Sequence, residues 1–431
     1  MISSLLPPSS PASWRTFLLS AVFVAAHSAL WAQNAAPATV PTPTPVSTPA
    51  PAPEAPSKVL TVDSSAFVFS PGNWAGDEGR EGGKYRQTWN PGAYVRITWH
   101  TKSAKVSPTL LLDTSVYPPK AHLPILACNL DGVWTSDLTC AAEIPISGPI
   151  SAGKHVLTVF FKKSDQANRW GTPGVSGTNV ARIAGLKVDA DSIPGSEAPA
   201  PRWALIVGDS ITEGVGAYEM EDYSHLVGEG FRTLGYEYGV SAAGWSGWNF
   251  RGDNPPGDIP GYYPVTDSVN GAGGHYHEED SRWNRIDANH SLLDSAGHLS
   301  GYGKTGQEPD VILINYGTND AIHHSNQSDA KASMTQCIPV LRQAAPKARL
   351  FILIPFGQYL ANELKDAVKQ YQTAHPDDHG ITIIDLGPDA AHAIAKKGYF
   401  GDLHPNPRAH ATFAMQVFAK ILETFNSDPS R

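Results

Sequence analysis

Sulfur, basic charge and long apolar runs are all scarce in this chain of 431 residues. It has only 3 Cys and 4 Met, and no CxxC pair or Cys/His spacing, so a structural zinc site is not indicated. Lys and Arg number 32 against 41 Asp and Glu, a formal charge of −9. That field repels phosphate backbones and anionic lipid, which argues against nucleic acid as a partner. No HExxH pattern and no internal repeat occurs. The one long apolar run, "TFLLSAVFVAAHSALWA", has 17 residues, the short edge of a membrane span.

What is present describes an exported, turn-rich protein of two or three units. Hydrophobic residues make up 41% of the chain, alongside 39 Gly and 36 Pro. Arg15 precedes the apolar run and small residues follow it at Ala32 to Ala36, so residues 1–33 read as a signal peptide. The alternative is an uncleaved anchor, the one case in which a membrane is a partner. No cysteine follows the run before Cys128, which leaves a lipoprotein anchor no attachment point. The expected location is secreted, periplasmic or cell-surface.

Residues 34–57 form a linker. Its stretch "PATVPTPTPVSTPAPAPEAP" contains eight prolines and reads as an extended tether, up to about 60 Å long. Residues 58–198 carry short alternating runs, "AYVRITWHT" and "HVLTVFFKKS" among them, separated by Gly, Pro and Asp turns. Period-two alternation without helical segments predicts a β-sandwich of jelly-roll type. Its tryptophans (Trp74, Trp89, Trp99, Trp134 and Trp170) either bind carbohydrate or fill the core. Cys128 and Cys140 could pair as a disulfide, with Cys337 a packed thiol in a helical pattern. From residue 199 to 431, apolar runs such as "WALIVG", "VILINYG", "RLFILIPF" and "ITIIDL" alternate with amphipathic helical patterns. This predicts a three-layer α/β/α domain around a parallel sheet.

Chemistry concentrates where those runs end. "ALIVGDSITEGVG" delivers Ser210 to the carboxyl end of a central strand, where doubly wound sheets bind ligands. There the hydroxyl is either a nucleophile, with its own backbone N–H available to an oxyanion, or a helix cap. "VILINYGTND" places Asn319 at a second strand exit of the same sheet, as a carboxamide donor. "AAGWSG" offers a backbone N–H from Gly247, with Gly244 in reserve, and "GDLHPN" brings His404 to the same rim. Imidazole suits the exchange of a serine proton near neutral pH, and this chemistry requires no metal or cofactor.

In order and spacing, "GDSITEG", "GWSG", "YGTND" and "DLHPN" resemble the blocks of the SGNH/GDSL hydrolase family over about residues 199–425. The resemblance implies an esterase with Ser210 as nucleophile and His404 as general base. It also implies an oxyanion hole of the Ser210 and Gly247 N–H groups and the Asn319 side chain. The family's orienting aspartate normally lies three residues before the histidine, where this chain has Gly401; Asp402 lies two before. Either Asp402 completes a triad or a backbone carbonyl orients the imidazole. That spacing and the preceding β-domain are similar to family 2 carbohydrate esterases, which deacetylate plant polysaccharides.

The segment 248–308 is long for a rim loop and rich in aromatics. Tyr262, Tyr263, Tyr276 and Trp283, with Trp245 just before it, are the residues to stack on a sugar or to pack the loop onto the body. Arg282, Arg285 and Asp287 bind hydroxyls or form an ion pair. "HYHEED", with His275 and His277, reads as a solvated loop rather than a metal site, and His323 and His324 border the pocket or cap a helix. The substrate implied by the resemblance is acetylated carbohydrate or another small ester. A lipase, thioesterase or peptidoglycan O-acetyl hydrolase shares the chemistry, and an inactive carbohydrate-binding surface protein is the reading from another class.

Overall fold

The computed structural model describes residues 55–76, 85–103, 105–217, 220–252, 258–301, 307–323, 326–388, 399–400 and 403–427. The expected signal peptide, most of the linker, His324 and Asp402 lie outside the described residues.

Alternation in the first half produces two antiparallel six-stranded sheets. One runs in the order Ala75–Gly76, Arg86–Thr88, Ala181–Asp189, Thr109–Leu112, Glu143–Pro145, with Ser57–Thr61 also paired to Ala181–Asp189. The other runs Ile193–Pro194, Tyr94–Thr101, Gly153–Lys163, Ile125–Leu130, Val133–Thr139, with Phe67–Phe69 on Tyr94–Thr101. Their inward residues, among them Val95, Ile97, Leu110, Leu157, Val159 and Leu186, fill the sandwich core. Trp89, Trp99 and Trp170 are buried, whereas Trp134 is 53% exposed.

The expected disulfide is absent: Cys128 and Cys140 are separate buried thiols. Strand register explains this. The Cys140 N–H bonds the Pro124 carbonyl, so Cys140 lies opposite a position four residues from Cys128 along the strand. At ~3.3 Å per residue that is roughly 13 Å, beyond the Cα separation a disulfide spans. Cys337 is buried in helix Gln327–Ala344, as its apolar spacing predicts.

The second half is a five-stranded, wholly parallel sheet in the order Tyr236–Ala242, Arg202–Gly208, Val311–Asn315, Arg349–Leu353, Ile381–Ile384. Strand Arg202–Gly208 alternates between two cores. Trp203, Leu205 and Val207 face the layer containing helices Gln327–Ala344 and Ala361–Ala374, while Ala204 and Ile206 face helices Tyr223–Thr233 and Pro407–Ser427. Among the described residues no helix is long and apolar enough to cross a membrane.

Strand Tyr236–Ala242 lies at the sheet's edge, where unpaired backbone groups invite aggregation unless covered. The sandwich covers it. Asn73 accepts from the Val240 N–H at 3.1 Å and donates to the Val240 carbonyl at 2.5 Å, and Asn90 accepts from the Ala242 N–H at 3.2 Å. Tyr94, Ala127 and Phe160 of the sandwich join the apolar cluster of the parallel sheet. Arg96 pairs with the buried Glu237 at 2.8 Å. The two halves are therefore welded through side chains that the edge strand requires.

Candidate functional site

In sheet order the first parallel strand lies between the second and the third, so chain direction reverses beside it, and the crevice at that switch point is the usual ligand site. Ser210 follows the first strand and Asn319 the third. Gly208 ends the strand, Asp209 caps helix Ser210–Glu213 by accepting from the Ile211 N–H at 2.9 Å, and Gly214 closes it in the left-handed region. Asp209 does the capping that Ser210 could have done, which leaves the serine hydroxyl for other work.

That hydroxyl lies 2.8 Å from His404 Nε2. His404 is brought in by the segment preceding helix Pro407–Ser427, and Gly216 seats that segment. Gly216 has φ +95°, and a Cβ there would lie 2.7 Å from the Pro405 carbonyl oxygen. Burial lowers the His404 imidazole from its ordinary value, with Glu213 pulling it back up. Burial thus favours the neutral ring, the form that accepts a proton at Nε2. Among the described residues nothing bonds its Nδ1.

Asn319 Nδ2 donates to the Ser246 carbonyl at 2.9 Å, which fixes the amide and leaves its second N–H for the crevice. The loop holding Ser246 is in turn pinned by the buried Asp320, which accepts from the Trp248, Asn249 and Phe250 N–H groups at 2.9, 2.9 and 3.3 Å. Burial raises Asp320, and it pushes the adjacent Asp209 carboxyl up to about 7, with Asp320 adding to the effect.

The Gly247 N–H is not the open donor the sequence suggests, because it bonds the Phe250 carbonyl at 3.0 Å. Gly247 is required for space instead, since a Cβ would run into the Asp320 carboxylate. The reserve donor, Gly244, bonds no acceptor among the described residues, and neither does the Ser210 N–H in the first turn of its helix. The Ser210 and Gly244 N–H groups and Asn319 Nδ2 are thus the donors the rim offers.

A cavity of about 290 Å³ is lined by Ser210, His404, Asn319, Trp245, His323 and Gln166, with Val215, Ile322 and Leu403 as its apolar part. Trp245, held at φ +65°, packs against His323 at 4.8 Å between ring centroids, and Phe250 stacks on the same imidazole at 4.7 Å. Trp283 and Tyr276 do not reach this cavity. Trp283 is buried and donates to the Tyr276 hydroxyl at 3.0 Å, and Tyr276 stacks on Tyr263 at 4.0 Å. The aromatics of the long segment pack it onto the body, as Tyr262 and Tyr263 also do.

Arg282, in the same segment, is buried. It donates to the Ser241 hydroxyl at 3.0 Å and the Gly208 carbonyl at 3.3 Å, tying the two strand ends together beneath the serine. His277, Glu279 and Asp280 come together in the "HYHEED" loop, where Asp280 pairs with Arg251 at 3.3 Å. A larger cavity of about 380 Å³ opens at the opposite end of the sheet, lined by Arg202, Tyr236, Asp310 and Arg349. Lys347 and Phe425 complete its lining, and it contains no serine–histidine pair, so chemistry rather than size picks the site.

Sequence reasoning missed the support under the serine helix. Arg169 of the sandwich pairs with Glu213 at 3.0 Å, both side chains being fully buried, and Gln166 Nε2 bonds the same carboxylate at 3.1 Å. Glu213 stands in the quoted "GDSITEG", and an acid one turn after the serine is a signal that a cation must come from somewhere. Nothing in the linear chain says it comes from 44 residues upstream.

Residues 206–412 match the GDSL-like lipase/acylhydrolase family. The hydrolase half of this chain belongs to that family. No curated protein sequence matches the chain. Among solved structures, a family 2 carbohydrate esterase from Cellvibrio japonicus is similar at a TM-score of 0.59 and 12% identity, covering 86% of this chain and 98% of that one. An acetyl xylan esterase from Butyrivibrio proteoclasticus gives 0.58 and 14%, covering 86% and 99%. A family 2 carbohydrate esterase from Clostridium thermocellum in complex with cellohexaose gives 0.53 and 15%, covering 84% and 99%. At such identities the likeness is one of fold, and it spans the sandwich and the GDSL domain together.

Proposed function

We propose that this protein is an exported serine esterase that removes acetyl groups from carbohydrate, such as acetylated xylan or its oligosaccharides, through an acyl-enzyme on Ser210. The observation that carries the reading is the 2.8 Å contact between Ser210 Oγ and His404 Nε2 at the switch point of the sheet. Ser210 Oγ attacks the ester carbonyl carbon as its proton passes to Nε2. The carbonyl oxygen takes up negative charge facing the Asn319 amide and the Ser210 and Gly244 N–H groups. Expulsion of the alcohol, which receives the proton from Nε2, leaves an acetyl-serine. Water then repeats the sequence, releasing acetate and restoring the hydroxyl.

A cavity of about 290 Å³ suits a short acyl group better than a fatty chain. The similar folds include an acetyl xylan esterase and an esterase in complex with cellohexaose, which supports a carbohydrate alcohol. The apolar run after Arg15 supports export. Acetate release from acetylated xylooligosaccharides and turnover of 4-nitrophenyl acetate test the reading. Ser210→Ala is expected to lower both by roughly 10⁴-fold or more. Undiminished turnover in that variant would remove Ser210 from the chemistry. A wild-type protein that binds polysaccharide but cleaves neither ester would be a binding protein instead.

A further inference from the structure

Gln166 belongs to the sandwich, in the loop after strand Gly153–Lys163, yet it lines the cavity that contains Ser210 and His404. Its orientation is set by chemistry. The Nε2 atom lies 3.1 Å from Glu213 Oε2, and a carboxylate only accepts, so the NH₂ side must face Glu213 and the carbonyl must face elsewhere. Glu213 cannot swing to accommodate a different pose, because Arg169 grips both of its oxygens at 3.0 and 3.2 Å. The carboxamide also rests on the bare Cα of Gly244, where any Cβ would overlap its nitrogen and carbon. Among the described residues nothing donates to Gln166 Oε1, and that atom is not sealed from solvent.

The fold thus holds an unused acceptor rigidly at the wall of the reaction cavity. An acetyl group carries no hydrogen-bond donor, so an acceptor there can recognise only the alcohol half of an ester. We propose that Gln166 is a specificity-determining residue, its Oε1 accepting the free hydroxyl adjacent to the ester on the leaving alcohol. This rests on the acetyl-carbohydrate reading above. The sandwich then does more than buttress the hydrolase half: it supplies the group that distinguishes a polyol ester from an ester of a simple alcohol.

The test uses the full chain and two substrates, a monoacetylated methyl xyloside and its deoxy analogue lacking the hydroxyl next to the ester. The wild type is expected to favour the hydroxyl-bearing ester in kcat/KM by about tenfold or more, the worth of one well-placed hydrogen bond. Gln166→Leu, similar in size and lacking the acceptor, is expected to bring the ratio close to one, with its thermal midpoint confirming a folded protein. A wild-type ratio near one, or an unaltered ratio in Gln166→Leu, overturns the role of Gln166 while leaving the carbohydrate esterase intact. Turnover of 4-nitrophenyl acetate with neither sugar ester cleaved overturns the carbohydrate reading, and the Gln166 proposal falls with it.

Discussion

Replacing Arg169 by Met removes the one cation that, among the described residues, bonds the buried Glu213 carboxylate. The Arg169 and Glu213 side chains are 0% and 1% exposed, and the guanidinium meets both carboxylate oxygens. Breaking a pair so buried leaves an uncompensated charge and costs about 3–5 kcal/mol. The remaining Gln166 amide donor offsets a part of this, so about 3 kcal/mol is the expected loss for Arg169→Met. Glu213→Gln should cost a similar amount by taking the carboxylate charge away from the buried guanidinium. In Arg169→Met/Glu213→Gln neither charge remains, and the loss should fall short of the sum by about 2 kcal/mol or more. Urea unfolding of the four proteins measures the cycle through their midpoints. Because Glu213 closes the helix that Ser210 opens, kcat should drop in the single variants and partly recover in the double. A single-variant loss below about 1 kcal/mol, or strict additivity, would refute the claim that this pair anchors the serine helix to the sandwich.

Three further outcomes follow from the same geometry. Gly216→Ala forces a side chain onto a backbone at φ +95° and against the Pro405 carbonyl, which should destabilise by about 2 kcal/mol and lower kcat by roughly 10²-fold through displacement of His404. Since burial lowers the His404 imidazole below its ordinary value of 6.5, the acid limb of kcat/KM should have its midpoint below that value, activity being lost as the ring takes up a proton. A limb at or above 6.5 would contradict a buried neutral base. His410 is buried and accepts from the Tyr223 N–H at 3.1 Å, and burial pushes its imidazole down to about 4. The unfolded chain binds a proton there that the folded chain rejects, so stability should decline as pH falls from about 6.5 to about 4, by about 3 kcal/mol in total. Denaturation midpoints across that range should lose this slope in His410→Gln.

How much of the site was legible follows residue by residue. Ser210 and Asn319 could be placed because each follows a short apolar run, and in a parallel sheet all such runs end on one side. Aromatic composition alone suggests Trp283 and Tyr276 for the pocket, and composition does not say whether an indole has a partner. In the fold each ring finds one within the long segment. Motif position points to Gly247, but whether its N–H is open depends on the path of the next three residues, which bring the Phe250 carbonyl back to it.

The amino-acid order by itself determined the two architectures, through a period of two in the first half and alternating apolar runs and helices in the second. It also determined the sheet end at which the nucleophile emerges, since these are consequences of local spacing. Only the tertiary structure decided that Cys128 and Cys140 stay apart, that the sandwich seals the sheet edge through Asn73 and Asn90, and that Arg169 and Gln166 reach Glu213. Those outcomes depend on strand register and on contacts between residues far apart in the chain, and neither is encoded in any window of sequence short enough to read.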